Sequence, residues 1–131
     1  MLLVRVELRK SEIAGLGCFA LEPIKKGQLL WVFDPRIDTH IQVAELSELP
    51  AAIQDFVRIY GFKEIVDGAL VYTMCGDHSK FMNHADAPNT ITDPGNRLVE
   101  IACRDIAPGE ELTCNYFSFD LDAQYKFQAI R

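Results

Sequence analysis

The 131-residue chain carries a formal charge of −6, with 49% hydrophobic and 24% charged residues, the composition of an ordinary globular protein with a single domain over residues 1–131. The acidic balance argues against a phosphate-backbone binder, which needs a basic face. No apolar run approaches the roughly 20 residues of a membrane span, and the start, MLLVRVELRK, with charges at Arg5 and Glu7, reads as a strand rather than a leader.

Leu3 to Leu8 alternates apolar and charged residues, the mark of a half-buried strand. AGLGCFA then sets Gly15 and Gly17 around Leu16 before an apolar stretch resumes, and a strand over Gln28 to Phe33 follows the turn KKG. A helix is predicted from a Ser47 cap, with Pro50 in its first turn, Ile53, Phe56, Val57 and Tyr60 on one face and Gly61 as its stop. Asp67-Gly68 between KEIV and ALVY is a two-residue hairpin signal. Thr90 to Thr92 and Leu98 to Cys103 pair across DPGN, and a short helix from Asp120 carries Leu121, Tyr125 and Phe127. IKKGQLL at 24–30 and IAPGEEL at 106–112 repeat one pattern, an apolar anchor, a glycine turn and a new strand. The result is a mainly β domain of short strands with one inserted helix.

Cys18, Cys75, Cys103 and Cys114 form no CxxC pair, and neither they nor His40, His78 and His84 show zinc spacing. No metal is expected; reduced thiols fit an intracellular, cytoplasmic protein, with export to a host cell the open alternative.

Three stretches could carry chemistry. Gly15-Leu16-Gly17 is either a tight turn or a backbone cradle for a ligand. FMNHADAPN, residues 81–89, is either an Asx-type turn with a satisfied histidine or a pocket read by Asn83 and His84. EELTCNYF, residues 110–117, is either a core strand or the carrier of an orienting phenol, Tyr116. A nucleophilic Cys114 would need a paired histidine, which no motif supplies.

In order, GLGCFA, IKKGQLL, GDHSKFMNHADAPN and RDIAPGEELTCNY resemble the SET domain of protein-lysine methyltransferases, from about Val4 to Phe117. The family's central motif, Gly-Asn, two residues, Arg-Phe-x-Asn-His-Ser-Cys-x-Pro-Asn, aligns without a gap to Gly76-Asp77 and Lys80 to Asn89. The resemblance is to a minimal SET domain, without the zinc-binding cysteines that flank many members. It implies a β-clip fold of small sheets, a helical insertion at about 40–62, a C-terminal pseudoknot that ends at the catalytic tyrosine, and a tail over 117–131.

It further implies S-adenosyl-L-methionine as cofactor, S-adenosyl-L-homocysteine as product, and a lysine-containing protein or peptide as substrate, with no nucleic acid or membrane partner. Carried over by motif, Gly15, Leu16 and Gly17 hold the cofactor's methionine part. Lys80, Phe81, Asn83 and His84 complete its site, Phe117 covers it, and Tyr116 is the catalytic tyrosine. The substrate channel falls to Phe33, Tyr60, Tyr72 and Cys114. Phe33-Asp34-Pro35 stands where the family has Tyr-x-Gly, with Tyr60 or Tyr72 as replacement hydroxyls. Cys114 replaces a Phe or Tyr, which leaves room for more than one methyl. Asn115 replaces Asp, and Ala85-Asp86 replaces Ser-Cys. A homodimer could complete so short a domain, and a catalytically silent SET-fold module is the rival reading.

Overall fold

The computed structural model describes residues 1–130. In chain order the strands are β1 (Val6–Lys10), β2 (Leu16–Ala20), β3 (Leu29–Val32), β4 (Thr39–Gln42), β5 (Phe62–Val66), β6 (Ala69–Met74), β7 (Asn83–His84), β8 (Thr90–Asp93), β9 (Asn96–Ala102) and β10 (Thr113–Cys114). The helices are α1 (Val43–Leu46), α2 (Ala51–Tyr60) and α3 (Ala123–Ala129). The strands form four small sheets, β1-β2, β3-β9-β8, β4-β6-β5 and the parallel pair β10-β7. This is the mainly β architecture expected.

Both predicted hairpins form. Asp67 (φ 49°) and Gly68 (φ 79°) take the two left-handed positions that join β5 to β6, and residues 93–96 turn β8 into β9. The repeated pattern proves to be a structural handshake. Gly27 and Gly109 each adopt positive φ, 83° and 87°, and each follows a buried isoleucine. Ile24 and Ile106 exchange backbone hydrogen bonds of 2.9 and 2.8 Å and are almost fully buried. The two turns therefore pack on each other inside the main core, with Val4, Cys18, Leu30 and Leu112.

The inserted helix differs from its prediction at both its start and its face. Ser47 does not cap α2; it closes the short α1, and α2 begins after Pro50. Proline pushes the residue before it out of helical conformation, so Leu49 cannot join the helix. On the apolar face Val57 is buried against Leu46 and Tyr72, whereas Ile53 and Phe56 remain 45% and 41% exposed. At the C-terminus α3 starts at Ala123, later than expected; Leu121 lies in solvent, and Ala123 and Lys126 are the buried residues.

Candidate active site

The parallel pairing of β7 with β10 brings the Asn83-His84 dipeptide beside Thr113-Cys114 and makes the crossing that the expected pseudoknot requires. Asn89 locks it from the side: its Oδ1 accepts from the Thr113 backbone N–H at 2.8 Å, and its Nδ2 donates to the Glu111 carbonyl at 2.8 Å.

Asn83 points its amide toward the glycine turn. Nδ2 lies 3.0 Å from the carbonyl oxygens of Ala14 and Leu16 and 2.8 Å from Glu111 Oε1. Ser11 Oγ sits 2.9 Å from both oxygens of that carboxylate. The same carboxylate explains Gly17, because a Cβ there would stand 2.2 Å from Glu111 Oε1. The 11–17 loop is thus tied to the crossing by one buried amide and one carboxylate.

His84 is equally committed. Its Nδ1 accepts the Tyr116 backbone N–H at 3.1 Å, which places the ring hydrogen on Nε2, and Nε2 donates to Asp86 Oδ1 at 3.1 Å. Asp86, one of the departures from the motif, therefore fixes the tautomer that receives the tyrosine backbone. Tyr116, Phe117 and Phe127 each lie with ring centroids 5.4 Å from the imidazole.

Tyr116 is buried, and its hydroxyl donates to the Met82 carbonyl at 2.8 Å. With the hydrogen placed there, the phenol oxygen acts as an acceptor. The Lys126 ammonium lies 4.9 Å from its ring centroid and pairs with Asp120 at 3.1 Å. Two cavities meet at this side chain. One, of about 490 Å³, is bordered by Ala14, Gly15, Leu16, Lys80, Phe81 and Asn83. The other, of about 100 Å³, is walled by Trp31, Phe62, Phe119 and Cys114 and carries Glu64 and Glu100. Tyr60, Lys80, Met82 and Tyr116 border both.

The two carboxylates of the smaller cavity are held by hydroxyls. Glu100 accepts from Thr90 and Thr92 at 2.7 and 3.2 Å, and burial raises its pKa above the ordinary carboxylate value. Burial likewise pushes the Cys75 thiol up to about 11 and raises that of Cys114, which removes both as nucleophiles near neutral pH. Among the described residues no group of three or more His, Cys, Asp or Glu is arranged to hold a metal, and no helix is long and apolar enough to cross a membrane.

Residues 15–117 match the SET domain family. The chain belongs to that family. The SET domain is 30% identical over 128 residues to histone-lysine N-methyltransferase 2D of Homo sapiens, covering 92% of this chain and 2% of that protein. It is 32% identical over 111 residues to an H3 lysine-4 specific histone-lysine N-methyltransferase of Schizosaccharomyces pombe, covering 81% of this chain and 12% of that one. The chain thus spans a small fraction of the relatives it matches. Among solved structures, a Polycomb Repressive Complex 2 of Chaetomium thermophilum superimposes with a TM-score of 0.68 at 22% identity, over 96% of this chain and 17% of that one. A ctPRC2 structure bound to S-adenosylmethionine gives 0.65 at 23% identity, over 96% and 17%.

The SET domain brings Gly15, Leu16, Lys80, Phe81 and Asn83 to the larger cavity, and Tyr60 and Cys114 to the smaller. Gly17 stands behind the loop against Glu111. His84 is covered by its aromatic neighbours, and Phe117 is half exposed beside it. Phe33 and Tyr72, expected in the channel, border neither cavity. Phe33 is stacked on His40 with centroids 4.2 Å apart, and the Tyr72 hydroxyl donates to Asp122 at 2.5 Å. Their places on the wall are taken by Trp31 and Phe62. The sequence reading overlooked Glu64, although a signal existed. On β5 it lies in phase with Phe62 and Val66 and is buried, while Ile65 points outward at 66% exposure, an inversion of ordinary patterning.

Proposed function

We propose that this SET domain transfers a methyl group from S-adenosylmethionine to the side-chain amine of lysine in a protein or peptide substrate. The observation that carries this reading is the position of Tyr116 in the wall shared by two cavities of different character. The larger has the size of a small-molecule site, and its border fits the cofactor: an open glycine turn for close approach and the Lys80 ammonium for a carboxylate. Asn83 holds that turn in place through the carbonyls of Ala14 and Leu16. When bound, the cofactor supplies a methyl already activated by its sulfonium.

The smaller cavity receives the lysine. A free lysine has a pKa of about 10.4; loss of its water shell in the enclosed cavity disfavours its charged form, while the cavity's two carboxylates give the proton a place to go. Tyr116, with its hydrogen on Met82, offers its oxygen to align the amine and to accept weak C–H···O contacts. The thiol of Cys114 leaves space for an amine that already bears a methyl, so more than one methyl is added. The acidic chain attracts a basic substrate, and the names of the relatives make histones the first proteins to try. We place the reaction inside the cell, where the four free cysteines stay reduced.

Incubation with labelled S-adenosylmethionine and histones or other lysine-rich proteins tests the reading. Label is expected on lysine with the wild-type protein and lost with Tyr116→Phe. Cofactor binding by calorimetry without transfer to any member of a broad lysine-peptide array would identify a silent SET-fold module instead.

A further inference from the structure

A lysine that enters the smaller cavity as an ammonium must lose a proton before it can accept a methyl, and that proton must leave a buried space. Two carboxylates border the cavity, and their hydrogen-bond surroundings differ. Of the hydroxyls on Glu100, that of Thr90 leads inward, since Thr90 Oγ also reaches the Thr113 carbonyl at 3.0 Å, and Thr92 borders the cavity itself. Glu64 leads outward. Thr73 Oγ donates to Glu64 Oε1 at 2.5 Å, and the same oxygen lies 3.0 Å from His40 Nδ1. Thr73 is fully buried, whereas His40 is half-buried on β4 at one side of the β4-β6-β5 sheet. His40 and Thr73 are direct cross-strand partners, so the chain of groups runs across the sheet from cavity to solvent. A hydroxyl has one hydrogen, and Thr73 gives it to Glu64; His40 Nδ1 is therefore the donor of the second bond. Among the described residues Glu64 has no ion-pair partner, and its one side-chain hydrogen bond is that from the Thr73 hydroxyl; a buried carboxylate without a paired cation is costly to the fold.

We propose that Glu64, Thr73 and His40 form a proton relay for the substrate amine, a proposal that rests on the methyl-transfer reading above. The substrate N–H bond breaks, its electron pair stays on nitrogen, and the proton passes to Glu64 Oε1. Glu64 then protonates Thr73 Oγ as Thr73 passes its own hydrogen to His40 Nδ1. The imidazolium so formed releases its Nε2 proton to water. What remains is the arrangement seen in the structure, with hydrogen on Nδ1 and the Thr73 hydroxyl turned to Glu64. Exchange of the imidazole tautomer through water, with rotation of the hydroxyl, resets the path. Glu64 is then a catalytic residue, and Thr73 and His40 are relay residues.

The other charged or titratable groups around Glu64 are Glu100 and Arg97 on β9, Lys126 on α3 and Lys80 before β7, together with the Tyr116 phenol. None of them shares a hydrogen bond with Glu64, and the Cys75 and Cys114 thiols titrate well above histidine. His40 is faced by the Phe33 ring and by Thr73.

The test pairs kinetics with spectroscopy on the full chain. Thr73→Val keeps the shape and cuts the relay; His40→Asn keeps a donor to Thr73 and removes the titrating ring. Each is expected to lower kcat at neutral pH by about 10²-fold with KM unchanged, the lower end of general acid–base catalysis. The deficit should shrink as pH approaches lysine's own pKa of about 10.4. Independently of activity, nitrogen-15 NMR should find His40 protonated at Nδ1 in the wild type and shifted toward the Nε2–H form in Thr73→Val. Methyl transfer whose pH profile both variants leave unchanged overturns the relay alone. Absence of transfer by the wild type at any pH overturns the functional reading and the relay with it.

Discussion

At the β7–β10 crossing, Asn83, His84 and Asn89 are buried polar side chains, and each is tied to a named partner: the Asn83 amide N–H to the 14–16 carbonyls, His84 to the Tyr116 backbone, Asn89 to the Thr113 backbone. The sheet β4-β6-β5 is held differently, through the apolar packing of Val57, Leu46 and Tyr72, and it buries Glu64, which has no ion-pair partner among the described residues. Both regions wall the same cavity. One holds position by satisfied hydrogen bonds and the other tolerates an electrostatic cost. The contrast teaches that a polar group which stabilises and one which serves chemistry can be told apart by what happens when the charge or amide is removed.

The largest effect belongs to the crossing. Tyr116→Phe should lower methyl transfer by about 10²–10³-fold, the scale of a lost orienting group at a reacting centre, with a stability loss of about 1 kcal/mol for the bond to Met82; steady-state rates and urea midpoints read the two. Asn83→Ala removes two N–H donors shared among two carbonyls and a carboxylate and should cost about 1–3 kcal/mol. It should also weaken cofactor binding by calorimetry as the 14–16 loop loosens. Glu64→Gln should do the reverse of Asn83→Ala: lower kcat while leaving denaturant stability equal to wild type or about 1 kcal/mol higher, as relief of a buried charge allows. If Glu64→Gln destabilised as much as Asn83→Ala, the contrast between the regions would fail.

Smaller effects sharpen the same contrast. Burial holds the Glu100 carboxyl above its ordinary value of 4.5, so the fold favours its protonated form. That contribution to stability is complete below 4.5 and is lost as pH rises through the folded value. Glu100→Gln should therefore match wild type near pH 4 and exceed it by a growing margin toward about pH 7, in paired urea titrations. The least perturbing test is thiol labelling. Burial pushes Cys18 up to about 12 and Cys75 up to about 11, and raises Cys114 too. At neutral pH the native protein should be labelled at half-buried Cys103 alone, and at all four sites only after denaturation.

Much of the crossing was legible because its residues are specified by type and spacing together. Asn83, His84 and Tyr116 stand in motifs whose amides, imidazole and phenol have defined hydrogen-bond partners. Hairpins at Asp67-Gly68 and residues 93–96 were legible for a local reason, the positive φ or tight turn that those residues favour. The handshake of Ile24 with Ile106 was visible only as a repeat, because no local pattern states that two distant turns pair. The inserted region was read less well. Its channel wall depends on which face of β3, β5 and β6 turns inward, and that is set by tertiary packing. So Phe33 went to His40 and Tyr72 to Asp122, while Trp31, Phe62 and Glu64 took the wall. Asp86 looked like an arbitrary departure until its carboxylate was found on His84 Nε2.

The central claim is that cofactor and substrate meet at Tyr116 from opposite cavities. A crystal structure with S-adenosylhomocysteine and a lysine peptide tests it most directly. The account predicts the cofactor product against Gly15, Leu16 and Lys80, and the lysine side chain among Trp31, Phe62 and Cys114, with sulfur and amine nitrogen converging on the Tyr116 hydroxyl. A cofactor product seated elsewhere, or a lysine that enters from the glycine-turn side, would contradict it.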